Sequence, residues 1–265
     1  MLELEHPFPE SFDELFHVLE HNLSSVSIMR GYTGSKIYAD SMHPTWIVTY
    51  SNSRILVSGD LGKPEVVDAV QRVVDNGIES GRGGFVIYYP KDPKKTGLGE
   101  SIQSITPYPN LRNYYILLLG NKANQGKLPK GYRIEQITKT LLEEGLENTE
   151  LVENEMRSER KSVKDFLDKS FGFCAISGDV IATWCMSEYN ADNRFEIGIE
   201  THTDHRRKGL ALQTARACIN HGIEKGYTQV GWHCWVKNEE SNELAKRLGF
   251  KHVLNYPVEY LEVEK

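Results

Sequence analysis

Six consecutive residues, Arg206-Arg207-Lys208-Gly209-Leu210-Ala211, put three cations, a glycine and a small residue into the pattern R-x-x-G-x-A. An alternating run at 195–202 leads into them and a helical pattern follows. Such a turn aims several backbone N–H groups at one spot, on the positive end of a helix and among cationic side chains. That is chemistry for a pyrophosphate. Gly209 lets the backbone come close to the ligand, and Ala211 is small enough not to block it. A bare R-x-x-G-x-A recurs by chance as a solvated basic loop, so its weight comes from the strand before it and the helix after it. The strand adds a second set of groups. Phe195, Ile197, Ile199 and Thr201 share one face, while Glu196, Gly198, Glu200 and His202 share the other. Two carboxylates and an imidazole on one face are groups that accept or hold protons.

The elements around this run can be read locally. Leu212, Ala215, Ile219 and Ile223 recur at helical spacing, and Gly226 is placed to end the helix. Residues 228–235 (TQVGWHCW) read as a strand. Asn238 is a good N-cap, Glu239 and Glu240 fill an acidic first turn, and Leu244, Ala245 and Leu248 form an apolar stripe closed by Gly249. Upstream, 132–137 reads as a strand, 138–145 as a helix and 151–170 as mostly helical. A hairpin, 171–177 and 180–187, turns at Gly178-Asp179.

The run from Ile199 to Ala211, followed by Asn238-x-x-Ser241-x-x-Leu244-Ala245-x-x-Leu248-Gly249-Phe250, resembles the GNAT superfamily of acyl-CoA-dependent N-acetyltransferases. The segments GFCAIS at 172–177, EIGIET at 196–201 and KGLA at 208–211, with the Trp232/Trp235 strand, are similar to its branch related to the zwittermicin A resistance acetyltransferase. The resemblance covers residues 130 to 260 well and the first half faintly. It implies an α/β (α+β) GNAT fold, a mixed and mostly antiparallel sheet flanked by helices, in which the strands at 195–202 and 228–235 run parallel and splay. Acetyl-CoA, as cosubstrate, would lie in that cleft. Arg206, Arg207, Lys208, Gly209, Leu210 and Ala211 would take its pyrophosphate, and the backbone of Ile199 and Thr201 would pair with the pantetheine arm. One N–H there would polarise the thioester carbonyl. Asn238 and Ser241 match positions near the sulfur end, Asn238 also serving as an N-cap.

Transfer to an amine needs a proton acceptor, because an amine is mostly ammonium at neutral pH. Glu200, Glu196 and His202 are the candidates; Glu200 is nearer the cofactor turn and Glu196 deeper along the strand. A purely electrostatic role in holding the substrate ammonium stands beside the role of base. In many GNAT enzymes a tyrosine on the last helix protonates the departing thiolate. Ala245 occupies that position here, as is usual in the zwittermicin-resistance-like branch. Ser241, Tyr256 and Tyr260 are the stand-ins, and a thiolate of ordinary pKa near ~8.5 leaves tolerably unaided.

Whole-chain properties narrow the class. The chain has 265 residues, 39% hydrophobic and 26% charged, as an ordinary globular protein does, and is long enough for two domains. Its net charge of −6 argues against general affinity for nucleic acid or anionic membrane, against which the basic cluster at 205–208 stands out. No apolar run approaches the ~20 residues of a membrane helix, and the acidic start MLELEHPFPESFDELF is unlike a signal peptide. A cytoplasmic location is expected. The four cysteines form no C-x-x-C pair, so they are expected as buried thiols with no metal site.

In the first half a helix is expected over 10–21, strands over 37–39, 46–50, 55–57 and 85–89, a helix from Pro64 toward Ile78, and a loop over 91–99. A strand is expected over 114–119. Residues 120–131 (GNKANQGKLPKG) have a linker's composition, dividing an N-terminal α/β domain, 1–125, from a GNAT domain, 130–265. The first half echoes the second in element order. However, its turn, Ser58-Gly59-Asp60-Leu61-Gly62-Lys63, has no arginine and puts an acid where phosphate would sit. A degenerate GNAT-like half and an unrelated α/β domain both fit. Two functions remain: N-acetyltransferase acting on a primary amine of a small molecule, such as an aminopolyol antibiotic, or a CoA-binding regulatory protein with little turnover. A homodimer is left open.

Overall fold

A computed structural model describes residues 1–90, 97–124 and 126–264. Contacts divide the chain into two compact units, Met1–Asn113 with Leu254–Lys265, and Tyr114–Val253.

The first unit runs through β1 (Leu2–Glu5), α1 (Asp13–His17), α2 (Leu23–Met29), β2 (Lys36–Ala39), β3 (Trp46–Ser51), β4 (Arg54–Gly59), α3 (Pro64–Glu79), β5 (Gly84–Tyr88) and the start of β6 (Ile105–Leu118). Its strands β1 to β5 neighbour one another in chain order, and β5 pairs antiparallel with the end of β12 (Lys251–Val263). The pairs are antiparallel except β4 with β5, which run parallel across α3. Pro64 sits in the first turn of α3, where its missing N–H costs nothing. Val66, Val70, Val73 and Val74 then return to one side of that helix and bury against Trp46, Val48, Ile55, Val57, Phe85 and Ile87.

The second unit continues with β7 (Tyr132–Gln136), α4 (Lys139–Leu142), α5 (Thr149–Glu159), α6 (Val163–Lys169), β8 (Gly172–Ser177), β9 (Val180–Ala191), β10 (Arg194–Thr201), α7 (Leu210–Glu224), β11 (Gln229–Trp235) and α8 (Glu239–Arg247). From the remainder of β6 the strand order is β6-β11-β10-β9-β8-β7. Strands β7 to β10 are antiparallel in turn, and β10 and β11 run parallel across α7. Strand period sends alternate side chains to opposite sides, which separates two cores. Cys185, Phe195 and Ile197 pack with Ala215, Cys218 and Ile219 of α7. Cys174, Ile176, Trp184 and Met186 pack with Val152 and Met156 of α5 and Phe166 of α6.

The division of the chain falls elsewhere than the glycine-rich 120–131 stretch. The second unit begins at Tyr114, because β6 is one strand of fourteen residues rather than a short one over 114–119. The tail from Leu254 belongs with the first unit, since Val258–Glu262 pair with Gly84–Tyr88. The single helix expected over 10–21 is a 3-10 turn and the short α1, followed by α2, which periodicity did not indicate. Helix α4 spans four residues, against the eight expected over 138–145. Within the loop expected over 91–99, positions 91–96 lie outside the described residues. All four cysteines are buried and free, as expected.

Candidate functional site

Parallel pairing of β10 with β11 covers Arg194↔Gln229, Phe195↔Val230 and Glu196↔Gly231. Past Glu196 the two strands part, while β10 stays paired with β9 as far as Thr201↔Thr183. Ile197 to Thr201 therefore present one edge of β10 outside the β11 ladder, an edge on which an extended ligand can add as a strand.

The turn after β10 completes the cleft. Arg206 is extended at φ −66°, Arg207 is left-handed at φ +59°, and Gly209, the N-cap of α7, is left-handed at φ +75°. A left-handed arginine is a costly conformation that clusters at binding sites. At Gly209 the positive φ itself favours glycine, and a Cβ there would meet nothing within 4 Å. No side chain of the described residues caps α7, and its first turn holds no acid. The leading N–H groups of a fifteen-residue helix thus face an open space beside Arg206, Arg207 and Lys208, all exposed. This arrangement suits an anion.

The cleft has a volume of about 550 Å³ and is lined by Ile199–Thr201 of β10, by His205–Leu212, and by Asn238, Glu240, Ser241, Glu243, Leu244 and Arg247 around α8. The residues singled out for cofactor binding from sequence, Ile199, Thr201, Arg206, Arg207, Lys208, Gly209, Leu210, Ala211, Asn238 and Ser241, all line it, and so does Glu200. Arg206 Nε donates to the Thr201 carbonyl at 3.2 Å, and its guanidinium lies 3.9 Å from Glu200. Lys208 Nζ donates to the Asp204 carbonyl at 3.0 Å and to Tyr132 Oη at 3.1 Å. Tyr132 Oη also bonds His205 Nδ1 at 2.8 Å. Burial, then the charges of Lys208 and His202, hold the His205 imidazole below its ordinary value. Asn238 accepts from the Ser241 N–H at 3.0 Å, as an N-cap should. The Ser241 hydroxyl accepts from Trp232 Nε1 at 3.0 Å.

The proton-accepting candidates separate. Glu200 is exposed and lies at the mouth beside Arg206. His202 is partly exposed, with Nδ1 3.7 Å from an Asp204 carboxylate oxygen. Glu196 is 5% exposed and its Oε1 lies 3.0 Å from Nε2 of His233 on β11. Ala245 is fully buried in the core beside Phe250 and carries no proton to give. Tyr256 and Tyr260 belong to the first unit, where Tyr256 stacks on Tyr88.

A second cavity, of about 450 Å³, lies on the α5 side of the sheet and shares Glu200, Thr201 and Arg206 with the first. Trp184, Leu151, Asn154, Glu155 and His202 complete most of its wall. Sequence reading missed Trp184 and Glu155, because each comes from an element distant in the chain. It also missed Glu188 of β9, whose carboxylate lies across Gly198; a Cβ on that glycine would come within 1.9 Å of Glu188 Oε1. A glycine inside an alternating strand marks such an approach. Glu155, Glu159 and Glu188 bring one oxygen each within 4.8 Å of one another, and all three also engage other groups.

The chain is similar to known proteins. A family model described as GNAT acetyltransferase matches residues 13–258. An uncharacterized N-acetyltransferase of Bacillus subtilis (strain 168), YdfB, is 31% identical over 134 residues, a match spanning 51% of this chain and only half, 50%, of that relative. Among solved structures, a GCN5-related N-acetyltransferase-like protein from Streptococcus suis 89/1591 superposes with a TM-score of 0.69 at 17% identity, over 95% of this chain and 100% of that one. A tandem GNAT protein from the clavulanic acid biosynthesis pathway does so with a TM-score of 0.55 at 10% identity, over 100% and 99%. These structural likenesses concern the fold.

Proposed function

The chain belongs to the GNAT acetyltransferase family, and from that premise we propose that it moves the acetyl group of acetyl-CoA to a primary amine of a small molecule. The observation that carries the proposal is the cleft itself: a parted parallel strand pair ending in a basic, left-handed turn at an uncapped helix. Arg206 to Ala211 fit a pyrophosphate through backbone N–H groups and cations, and Gly209 leaves room for it. The free edge of β10 at Ile199 and Thr201 suits the pantetheine arm, which brings the thioester toward the vertex of the cleft. When bound, acetyl-CoA supplies an activated acetyl group and a thiolate leaving group.

The acceptor amine enters by the cavity on the α5 side, which adjoins the cofactor cleft at Glu200 and Thr201. A carboxylate pair, Glu155 and Glu200, with the indole of Trp184 suits a cationic amine. Of the three candidate bases, Glu196 is the one held deep on the strand, so it takes the amine proton, directly or through water. Glu200, exposed and beside Arg206, anchors the incoming ammonium. The neutral amine then attacks the thioester carbonyl carbon, the C–N bond forms, the C–S bond breaks, and the thiolate departs past Ser241. The proton that the nitrogen still has to lose passes to that thiolate, directly or through water, leaving amide and CoA thiol. The likeness of GFCAIS and EIGIET to the zwittermicin A resistance branch makes an aminopolyol antibiotic or a similar metabolite the acceptor class to try first.

The test has two arms. Calorimetry with CoA and acetyl-CoA on the native chain and on Gly209→Asp should show micromolar binding for the first and none for the second; equal affinity overturns the site. A panel of amines with acetyl-CoA and a thiol-detecting reagent should return at least one acceptor, and tight CoA binding with no acceptor across a wide panel would favour a regulatory CoA-binding protein.

A further inference from the structure

His233 meets Glu196 where the pairing of β10 with β11 ends, and nothing so far uses it. It sits on β11 two residues beyond Gly231, the last residue paired with β10, and so projects from the same side of the sheet as Gly231 and its partner Glu196. Its Nε2 lies 3.0 Å from Glu196 Oε1, and the two side chains are only 10% and 7% exposed. The ring of Tyr114, from β6, stacks on the imidazole with centroids 4.5 Å apart and planes 8° from parallel. Gly231 makes the approach possible: a Cβ there would stand 2.9 Å from Glu196 Cγ and 3.3 Å from Tyr114 Cε2. Three strands thus lock one imidazole against one carboxylate.

We infer that His233 is a positioning residue for catalysis: it donates from Nε2 to Glu196 and fixes that carboxylate as the proton acceptor at the vertex. This rests on the acetyltransferase reading, and two physical arguments support it. A buried carboxylate is costly unless a hydrogen bond compensates it, and the imidazole N–H supplies one. Distance agrees as well. From Thr201, beside the anion turn, to Glu196 is five residues of strand, about 16–17 Å at ~3.3 Å per residue. An extended ligand with its phosphates at the turn therefore carries its far end toward Glu196 and His233. On deprotonation of the amine the proton passes to Glu196, and His233 stabilises either charge state by remaining its partner.

The experiment uses the full chain labelled with ¹⁵N in histidine, the His233 signal being identified by its loss in His233→Gln. In the native protein the ¹⁵N shift of His233 Nε2 should be that of a proton-bearing nitrogen engaged in a hydrogen bond, and Glu196→Gln should move it, because the carboxylate is the acceptor of that bond. Saturating acetyl-CoA should move the His233 resonances more than saturating CoA does, because only the former brings an acetyl group to the vertex. Slow release of CoA from acetyl-CoA, with water in place of the amine, should fall about 10- to 100-fold in His233→Leu and largely persist in His233→Gln, whose amide keeps a donor in reach. An Nε2 resonance that Glu196→Gln leaves unmoved overturns the inference, as does an identical response to acetyl-CoA and CoA. Failure of acetyl-CoA to bind at all would instead overturn the acetyltransferase reading on which it rests.

Discussion

The β4–α3–β5 segment of the first unit and the β10–α7–β11 segment of the second are built alike and end differently. In each, two parallel strands connected by a helix pair over three residues, Arg54–Leu56 with Val86–Tyr88 and Arg194–Glu196 with Gln229–Gly231; β5 ends at Tyr88, whereas β11 runs on unpaired with β10 to Trp235. After β10 come Arg206, Arg207 and Lys208, two left-handed residues and an uncapped helix with no acid in its first turn. After β4 come Asp60 and a Lys63 whose ammonium is taken by Asp40 at 3.3 Å and Thr45 at 2.7 Å. Pro64 then removes one helix N–H, and Glu65 adds an acid to the first turn. Leu61, in the same turn, is buried in the core with Leu98 and Ile102. A parallel β–α–β unit alone therefore does not offer an anion an open, basic turn; the charge, backbone and solvent access of the turn separate the two segments.

The comparison breaks most easily at the turn. Gly209→Asp places a carboxylate against the proposed pyrophosphate and should weaken CoA binding by at least about 100-fold, whereas Gly62→Asp in the first unit should leave Kd unchanged by calorimetry. A loss of affinity in the second variant would mean that the first unit takes part. Next in size is the choice between carboxylates. Glu196→Gln should lower kcat by about 10²–10⁴-fold, while Glu200→Gln should act mainly on the acceptor KM. Steady-state kinetics showing the reverse pattern would make Glu200 the base.

Arg206→Ala should weaken CoA binding about tenfold, and the deficit should shrink as salt rises, because an exposed charge pair is screened. Lys63→Ala should show no such salt-dependent loss. The smallest effect concerns acid stability. His221 of α7 packs against Phe171 and Phe173, and burial, followed by Lys225, lowers its imidazole below the ordinary 6.5. A lowered folded value means the unfolded chain binds the proton more readily. Its contribution to stability is present above pH 6.5 and lost as pH falls through that value toward the folded one. Urea unfolding of His221→Phe should therefore lose stability less steeply on acidification than the native chain; equal slopes would rule the residue out as a contributor.

Much of the site was legible because its signals are local. The R-x-x-G-x-A turn, the alternating strand before it, the Asn238 cap and Gly209 act within a few residues, and local sterics, capping and period follow from neighbours in the chain. The cofactor-binding candidates could accordingly be named from sequence, and all of them line the cleft. The same locality explains the faults. The helix expected over 10–21 broke into a 3-10 turn and the short α1, because apolar spacing over so few turns does not outweigh tertiary packing. The glycine-rich 120–131 stretch looks like a boundary, yet the units divide at Tyr114 and Leu254, since strand pairing and not linker composition decides where contacts belong.

By itself, then, the sequence determined the basic glycine turn, the Asn238 helix cap, the strand–helix–strand order around the turn and the faces of β10. Tertiary structure alone decided which carboxylate is buried and with what. Glu196 and His233 are 37 residues apart, and no periodicity joins them. Glu188 reaches across Gly198 only because β9 carries two residues, Glu188 and Tyr189, opposite Glu196 alone, where the register shifts. The physical reason is the range of the forces involved. Backbone sterics and capping act between chain neighbours, whereas burial and cross-strand hydrogen bonds form between residues that only the assembled sheet makes adjacent.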